Sequence, residues 1–116
     1  MNENAKKWVA ALRSGKYNQG CDYLNNNGEF CCLGVACDLY SKEHDIDIEV
    51  RGDVTYYDGE NEFLPRIVQD WLGMHSCDGS YGLPHTRTLA IDNDNGKTFD
   101  DIASIIEERA SELFRE

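Results

Sequence analysis

Three of the five cysteines, Cys31, Cys32 and Cys37, fall within seven positions on one short apolar run, Phe30-Cys31-Cys32-Leu33-Gly34-Val35-Ala36-Cys37. Thiols at that density serve a tight core, a reactive nucleophile or a metal ion. Each implies a different protein.

As a nucleophile, Cys31 or Cys32 would stand at a helix N-terminus, where the macrodipole favours the thiolate. His85 would act as base, with Asn93 or Asp94 orienting it, in the chain order Cys, His, Asn/Asp that papain-like hydrolases use. Gln19 would offer an oxyanion donor. Against this, the papain cysteine signature is absent and Gln19 lies far upstream. Buried cysteine also commonly serves as a small hydrophobe. A structural, cysteine-packed helix is therefore the primary reading, and a small cysteine-dependent hydrolase the alternative.

Zinc needs about four soft or imidazole ligands converging tetrahedrally. The candidates Cys21, Cys31, Cys32, Cys37, His75, Cys77 and His85 include no Cys-x-x-Cys pair, so no metal is expected. Asp92, Asp94 and Gly96 suggest a calcium loop, but from Asp92 the positions that need glycine and glutamate hold Lys97 and Ala103. Asn95-Gly96-Lys97-Thr98 resembles the end of a phosphate loop. The glycine that should stand five residues before Gly96 is Ile91, and helix capping is the simpler role. No cofactor is expected.

The 116 residues carry 22 Asp and Glu against 11 Lys and Arg, a formal net charge of −11. Repulsion from phosphate argues against direct binding of nucleic acid. The acidic residues are spread along the chain, as on a solvated surface, which also suits a basic protein partner. No window approaches the roughly 18 apolar residues that a membrane span requires. The start, Met1-Asn2-Glu3-Asn4-Ala5-Lys6-Lys7-Trp8, has no continuous apolar stretch. The expected location is the cytoplasm, where thiols stay reduced, so the odd cysteine count is not a disulfide framework.

The elements that would position these groups follow from periodicity. Ala5, Trp8, Val9 and Leu12 mark an amphipathic helix that Asn2 or Asn4 caps and Ser14-Gly15 ends. A Gly- and Asn-rich loop or irregular hairpin follows, turning at Asn27-Gly28. The cysteine run predicts a central helix over about 31–41, apolar on two sides. Ile46, Ile48 and Val50 alternate with polar residues and pair with Val54-Thr55-Tyr56-Tyr57 in an antiparallel hairpin with one wet face. Leu64-Pro65-Arg66 opens a helix that buries Ile67, Val68, Trp71 and Leu72 and ends at Gly73. Residues 75–88 read as a long loop, and Leu89-Ala90-Ile91 as a short buried turn or strand. Thr98 and Asp101 approximate a capping box for a last helix with Phe99, Ile102, Ile106, Ala110 and Leu113 inward. Trp8, Val35, Leu39, Trp71, Ile102 and Ile106 should share one core.

Several ordered motifs carry a resemblance. They are Trp8 followed by Ala11-Leu12-Arg13-Ser14-Gly15-Lys16-Tyr17-Asn18-Gln19-Gly20, the cysteine run through Asp38-Leu39, and Leu64-Pro65 with Trp71-Leu72-Gly73. Leu89-Ala90 with Asn93-Asp94-Asn95-Gly96-Lys97-Thr98-Phe99 completes the set. Together they resemble a group of small proteins of tailed bacteriophages and their hosts. At greater distance they are similar to bacterial proteins that combine a Gln-Gly loop, a Cys-x-x-Gly-Ala helix and an Asn-Asp turn. The resemblance covers most of the chain and implies origin and fold, not mechanism. Its positions are Gln19-Gly20, the cysteine helix and Asn93-Asp94; His85 matches none of them.

The expectation is one α+β domain over 1–116, with four or so helices around the cysteine helix and a short antiparallel sheet. Its expected role is that of a phage or prophage accessory protein that binds a host protein or small ligand without turnover, with interference in a bacterial defence as one setting. The ligand-binding candidates are Tyr17, Gln19, Cys31, Cys32, Asn93 and Asp94. The loop over 17–23 and the turn over 92–95 should lie together, with Gln19 and Asn93 bonding backbone across the gap. Oligomeric state is left open.

Overall fold

A computed structural model describes residues 1–82 and 86–115. Asn2 is extended, and its side chain accepts a hydrogen bond from the Ala5 N–H, starting α1 (Glu3–Arg13). Ala5, Trp8, Val9 and Leu12 are its buried residues, as their spacing predicts. Three two-residue strands follow: β1 (Asn18–Gln19), β2 (Asn25–Asn26) and β3 (Glu29–Phe30). Asn27 and Gly28 both have positive φ (53° and 86°) and turn β2 back on β3. β1 runs parallel to β3, so the sheet is mixed rather than purely antiparallel.

The central helix, α2 (Cys32–Glu43), starts one residue later than the apolar run suggests, because Cys31 is extended and serves as the N-cap. Every residue from Cys32 to Cys37 is buried, as is Tyr40. Leu39 and Trp71, expected at the core centre, are only partly buried and pack against its edge. α1 is locked onto α2 by the Trp8 indole N–H, which donates to the Cys32 carbonyl at 2.9 Å in a buried bond. On another side, α2 meets bare backbone: a Cβ placed on Gly34 would lie 1.7 Å from the Leu24 carbonyl oxygen.

β4 (Ile48–Arg51) and β5 (Val54–Tyr57) form the expected hairpin around Gly52-Asp53, and the sheet order is β1-β3-β2-β5-β4. The alternation in β4 suggests that Ile48 and Val50 are buried. They are instead 48% and 64% exposed, because β4 is an edge strand whose faces are uncovered. Burial in the hairpin comes from Thr55 and Tyr57 of β5.

α3 (Arg66–Leu72) follows Pro65 and ends at Gly73 in the left-handed conformation (φ 75°). Val68 and Leu72, four apart, are buried, whereas Ile67, one position round the helix, is 42% exposed against expectation. The stretch expected to be a long loop contains a second ladder, β6 (Ser80–Tyr81) with β7 (Arg87–Thr88).

Leu89-Ala90-Ile91 belongs to a helix, α4 (Leu89–Asp94), rather than to a turn or strand. The Thr88 hydroxyl caps it by accepting from Ile91 N–H. Leu89 and Asn93, at i and i+4, face inward, which leaves Ile91 53% exposed. α5 (Phe99–Glu108) opens with the Thr98–Asp101 capping box, and α6 (Ala110–Leu113) follows a break at Arg109. Phe99, Ile102, Ile106 and Leu113 are buried, and Ala110 is partly so. One core joins these elements into a single α+β domain. Among the described residues, no helix is long and apolar enough to cross a membrane.

Candidate functional site

Cys31 offers no side-chain bond to the start of α2, so the first N–H groups of that helix need a partner from elsewhere. Asn93 provides it. Its Oδ1 accepts from Cys32 N–H at 3.1 Å and from Gln19 Nε2 at 2.8 Å. Its Nδ2 donates to the Gly20 carbonyl at 2.8 Å and, at 3.4 Å, to Asp94 Oδ1. Gln19 completes the link: Nε2 also donates to the Lys97 carbonyl at 2.8 Å, and Oε1 accepts from Phe99 N–H at 3.1 Å. Asp94 Oδ1 accepts from Asp22 N–H at 2.9 Å, steadying Asp22 at its positive φ of 72°. The two loops therefore lie together, and Gln19 and Asn93 bond across the gap between them.

This network has a chemical consequence. Asn93 is 3% exposed, and both of its amide hydrogens and both oxygen lone pairs are used. Both Nε2 hydrogens of Gln19 are likewise committed, so it has no donor left for an oxyanion. These two amides hold the two loops together and also line the space between them, where the exposed Gln19 uses only one of its two Oε1 lone pairs, on Phe99 N–H.

What they hold is a hollow of about 570 Å³ beside Gly20, with Asp22, Tyr23, Glu29, Asp94 and Lys97 in its wall. A second hollow of about 330 Å³ adjoins it, sharing Asp22, Tyr23 and Asp94 and adding Cys31, Glu62, Phe63 and Ala90. Among the described residues, no side chain bonds the carboxylates of Glu29 or Glu62. Asp94 keeps one oxygen free of the bond to Asp22. Four carboxylates against one ammonium group give the paired hollows a negative field, and Phe63 and Ala90 give them an apolar side.

The remaining candidates separate. Tyr17 lies outside both hollows. Its hydroxyl bonds Asp38, its ring meets the edge of Phe30 at 5.2 Å between centroids, and it lines a different hollow beside Leu39 and Lys42. Cys32 is fully buried with its thiol on the Leu89 carbonyl at 3.6 Å, away from solvent. Cys31, 4% exposed, reaches the wall of the second hollow. Burial pushes its thiol up to about 11 and pushes Cys32 well above the ordinary thiol range. Helix-start N–H groups lower the Cys31 value but do not offset desolvation. His85, the base of the hydrolase alternative, lies outside the described residues. Among the described residues, no group of three or more His, Cys, Asp or Glu side chains could hold a metal ion.

Asp22 and Tyr23 belong to the 17–23 loop that the sequence points to, whereas Glu29, Glu62 and Phe63 lie outside it. Nothing in the local pattern around Glu62-Phe63 marks them; they join the site only because β5 and the segment after it fold beside residues 22–24. The Leu24 N–H donating to the Asn61 carbonyl at 2.7 Å makes that connection.

Thiol reactivity follows from this geometry. Iodoacetamide at neutral pH should label Cys21 and Cys77, which are exposed, and leave Cys31, Cys32 and Cys37 unmodified until the protein unfolds. Peptide mass analysis reads the difference. Fast native labelling of Cys31, abolished on replacing His85, would show an activated thiol and favour the hydrolase alternative.

A family model described as "Domain of unknown function (DUF8296)" matches residues 1–110, and the chain belongs to that family. Comparison with curated proteins and with solved structures gave no match.

Proposed function

We propose that this member of the family is a phage or prophage accessory protein that binds a basic segment of a host protein without chemical turnover. The observation that carries the reading is the pair of adjoining hollows beside Gly20, where Asp22, Glu29, Glu62 and Asp94 oppose a single Lys97. Such a wall attracts Lys and Arg side chains, and a formal charge of −11 over the chain steers them there. Phe63 and Ala90 in the second hollow suit an apolar side chain next to the basic one. A rigid floor lowers the ordering cost of binding, and the Gln19–Asn93 network supplies one. The buried, unactivated thiols favour binding over hydrolysis. The ordered motifs support the phage origin, and interference with a bacterial defence protein is the setting this chemistry fits.

Calorimetric titration with a short peptide of alternating arginine and leucine tests the reading. Asp22→Asn and Asp94→Asn keep the side-chain shape and remove charge, and each should weaken binding by about threefold. Asp45→Asn and Asp47→Asn, beyond the far end of α2, should change it little. Equal losses from both pairs would reduce the effect to net charge and remove the site.

A further inference from the structure

β4 is one of the two edge strands of the five-stranded sheet, the other being the two-residue β1. Its register to β5 pairs Arg51 with Val54 across a two-residue loop and Glu49 with Tyr56. The ladder continues where Asp58 N–H donates to the Asp47 carbonyl at 2.7 Å. Hydrogen bonding to β5 therefore falls on the odd-numbered residues 47, 49 and 51. The N–H and C=O groups of Ile48 and Val50 point the other way, to the open edge. These same two residues also expose their side chains, at 48% and 64%. β4 is short, has no lysine, proline or covering element among the described residues, and its two charged residues, Glu49 and Arg51, are of opposite sign.

We propose that this edge pairs with β4 of a second copy of the chain, antiparallel, about a two-fold axis through Val50. That axis places Val50 beside Val50 of the second copy, where each offers the other its N–H and carbonyl. It sets Glu49 opposite the second copy's Arg51 and Arg51 opposite its Glu49, in the closer, non-hydrogen-bonded kind of pair. The strand is thus complementary to itself in charge as well as in backbone groups. An axis through Glu49 would instead oppose like carboxylates, which selects the first register. Within one chain Arg51 leans inward over Tyr56 of β5, 4.6 Å from the ring centre, and pairs with Glu49 at 3.1 Å, so the dimer exchanges this pair within the strand for two pairs between copies. A four-residue strand buries little area and the formal charge of −11 opposes association, so the dimer is weak and reversible.

Sedimentation equilibrium in physiological salt, on samples up to about 1 mM, tests this, because an interface of this size has a Kd in the micromolar range or weaker. The wild-type protein should show a monomer–dimer equilibrium. Val50→Pro should be monomeric, since it removes an outward N–H and no bond to β5. The charges give a second arm that does not depend on tolerance of proline. Glu49→Arg should abolish the dimer, and Glu49→Arg with Arg51→Glu should restore it. A wild-type monomer throughout the range overturns the proposal, whether or not the edge takes a strand from another protein. So does a dimer that survives Val50→Pro or Glu49→Arg, or one that the charge exchange does not restore.

Discussion

Gly34→Ala should leave the protein without a stable fold. In an ordinary helix this substitution gains roughly 1 kcal/mol, because alanine loses less conformational entropy than glycine. Here the new Cβ meets the Leu24 carbonyl oxygen at 1.7 Å and its carbon at 2.5 Å. Backbone cannot turn aside as a side chain does, so α2 must move off the Leu24 segment. That movement pulls apart the core around Cys32, Val35 and Ala36, all fully buried. A loss of about 5 kcal/mol or more is expected, a large part of the stability of a domain this size. Gly15→Ala, where nothing lies within 4 Å of the added Cβ and only the positive φ is strained, should cost about 1 kcal/mol. Denaturant titration of the two variants reads the contrast; equal midpoints would show that α2 does not lie against residue 24.

Asn93→Ala should be the most damaging change in the site. It leaves the Cys32 N–H at the start of α2, the Gly20 carbonyl and one Gln19 hydrogen without their partner. Unpaired buried groups cost about 1–3 kcal/mol each, and solvent entering the gap offsets part of this, so a net loss of about 3 kcal/mol is expected. In a domain of this size that lowers Tm by roughly 10–20 °C. Asn93→Asp keeps the acceptor oxygen but removes both donors and turns a carboxylate oxygen toward the Gly20 carbonyl, so it should also destabilise. A Tm unchanged by Asn93→Ala would mean that the two loops are ordered by something other than this side chain.

These two residues show what the sequence makes legible and what it does not. Signals contained within a few residues read correctly: a cap at Asn2 or Asn4, of which Asn2 serves, Asn27-Gly28 as a turn, Gly73 as a helix end, and Thr98 with Asp101 as a capping box. Apolar spacing gave the inward face of α1 and of α5. Spacing misled where an element is short or at an edge. A pattern of two in β4 says which residues share a face, not whether anything covers that face, so the exposure of Ile48 and Val50 is not legible from it. In α4 the apolar triplet reads as a short buried turn or strand, although a helix of barely two turns buries only one stripe, Leu89 with Asn93. That Gln19 and Asn93 bond backbone across the gap is legible, because the two loops set amide, hydroxyl and carboxylate groups beside a helix whose first N–H groups need partners. That Asn93 caps α2 was not legible, because the bond spans 61 positions of sequence. Tyr17 joins these candidates through nearness in sequence, and the fold turns it toward Asp38 instead.

Amide mapping during titration with the arginine–leucine peptide tests the binding site most directly. Binding in the paired hollows predicts that the ¹H–¹⁵N resonances of Gly20, Cys21, Asp22, Tyr23, Phe63 and Asp94 shift together along one saturable curve. Residues 45–47, just beyond the C-terminal end of α2, should stay in place. Shifts spread evenly over the acidic surface, or absent around Gly20 to Tyr23 while present elsewhere, would contradict a basic segment seated at this site.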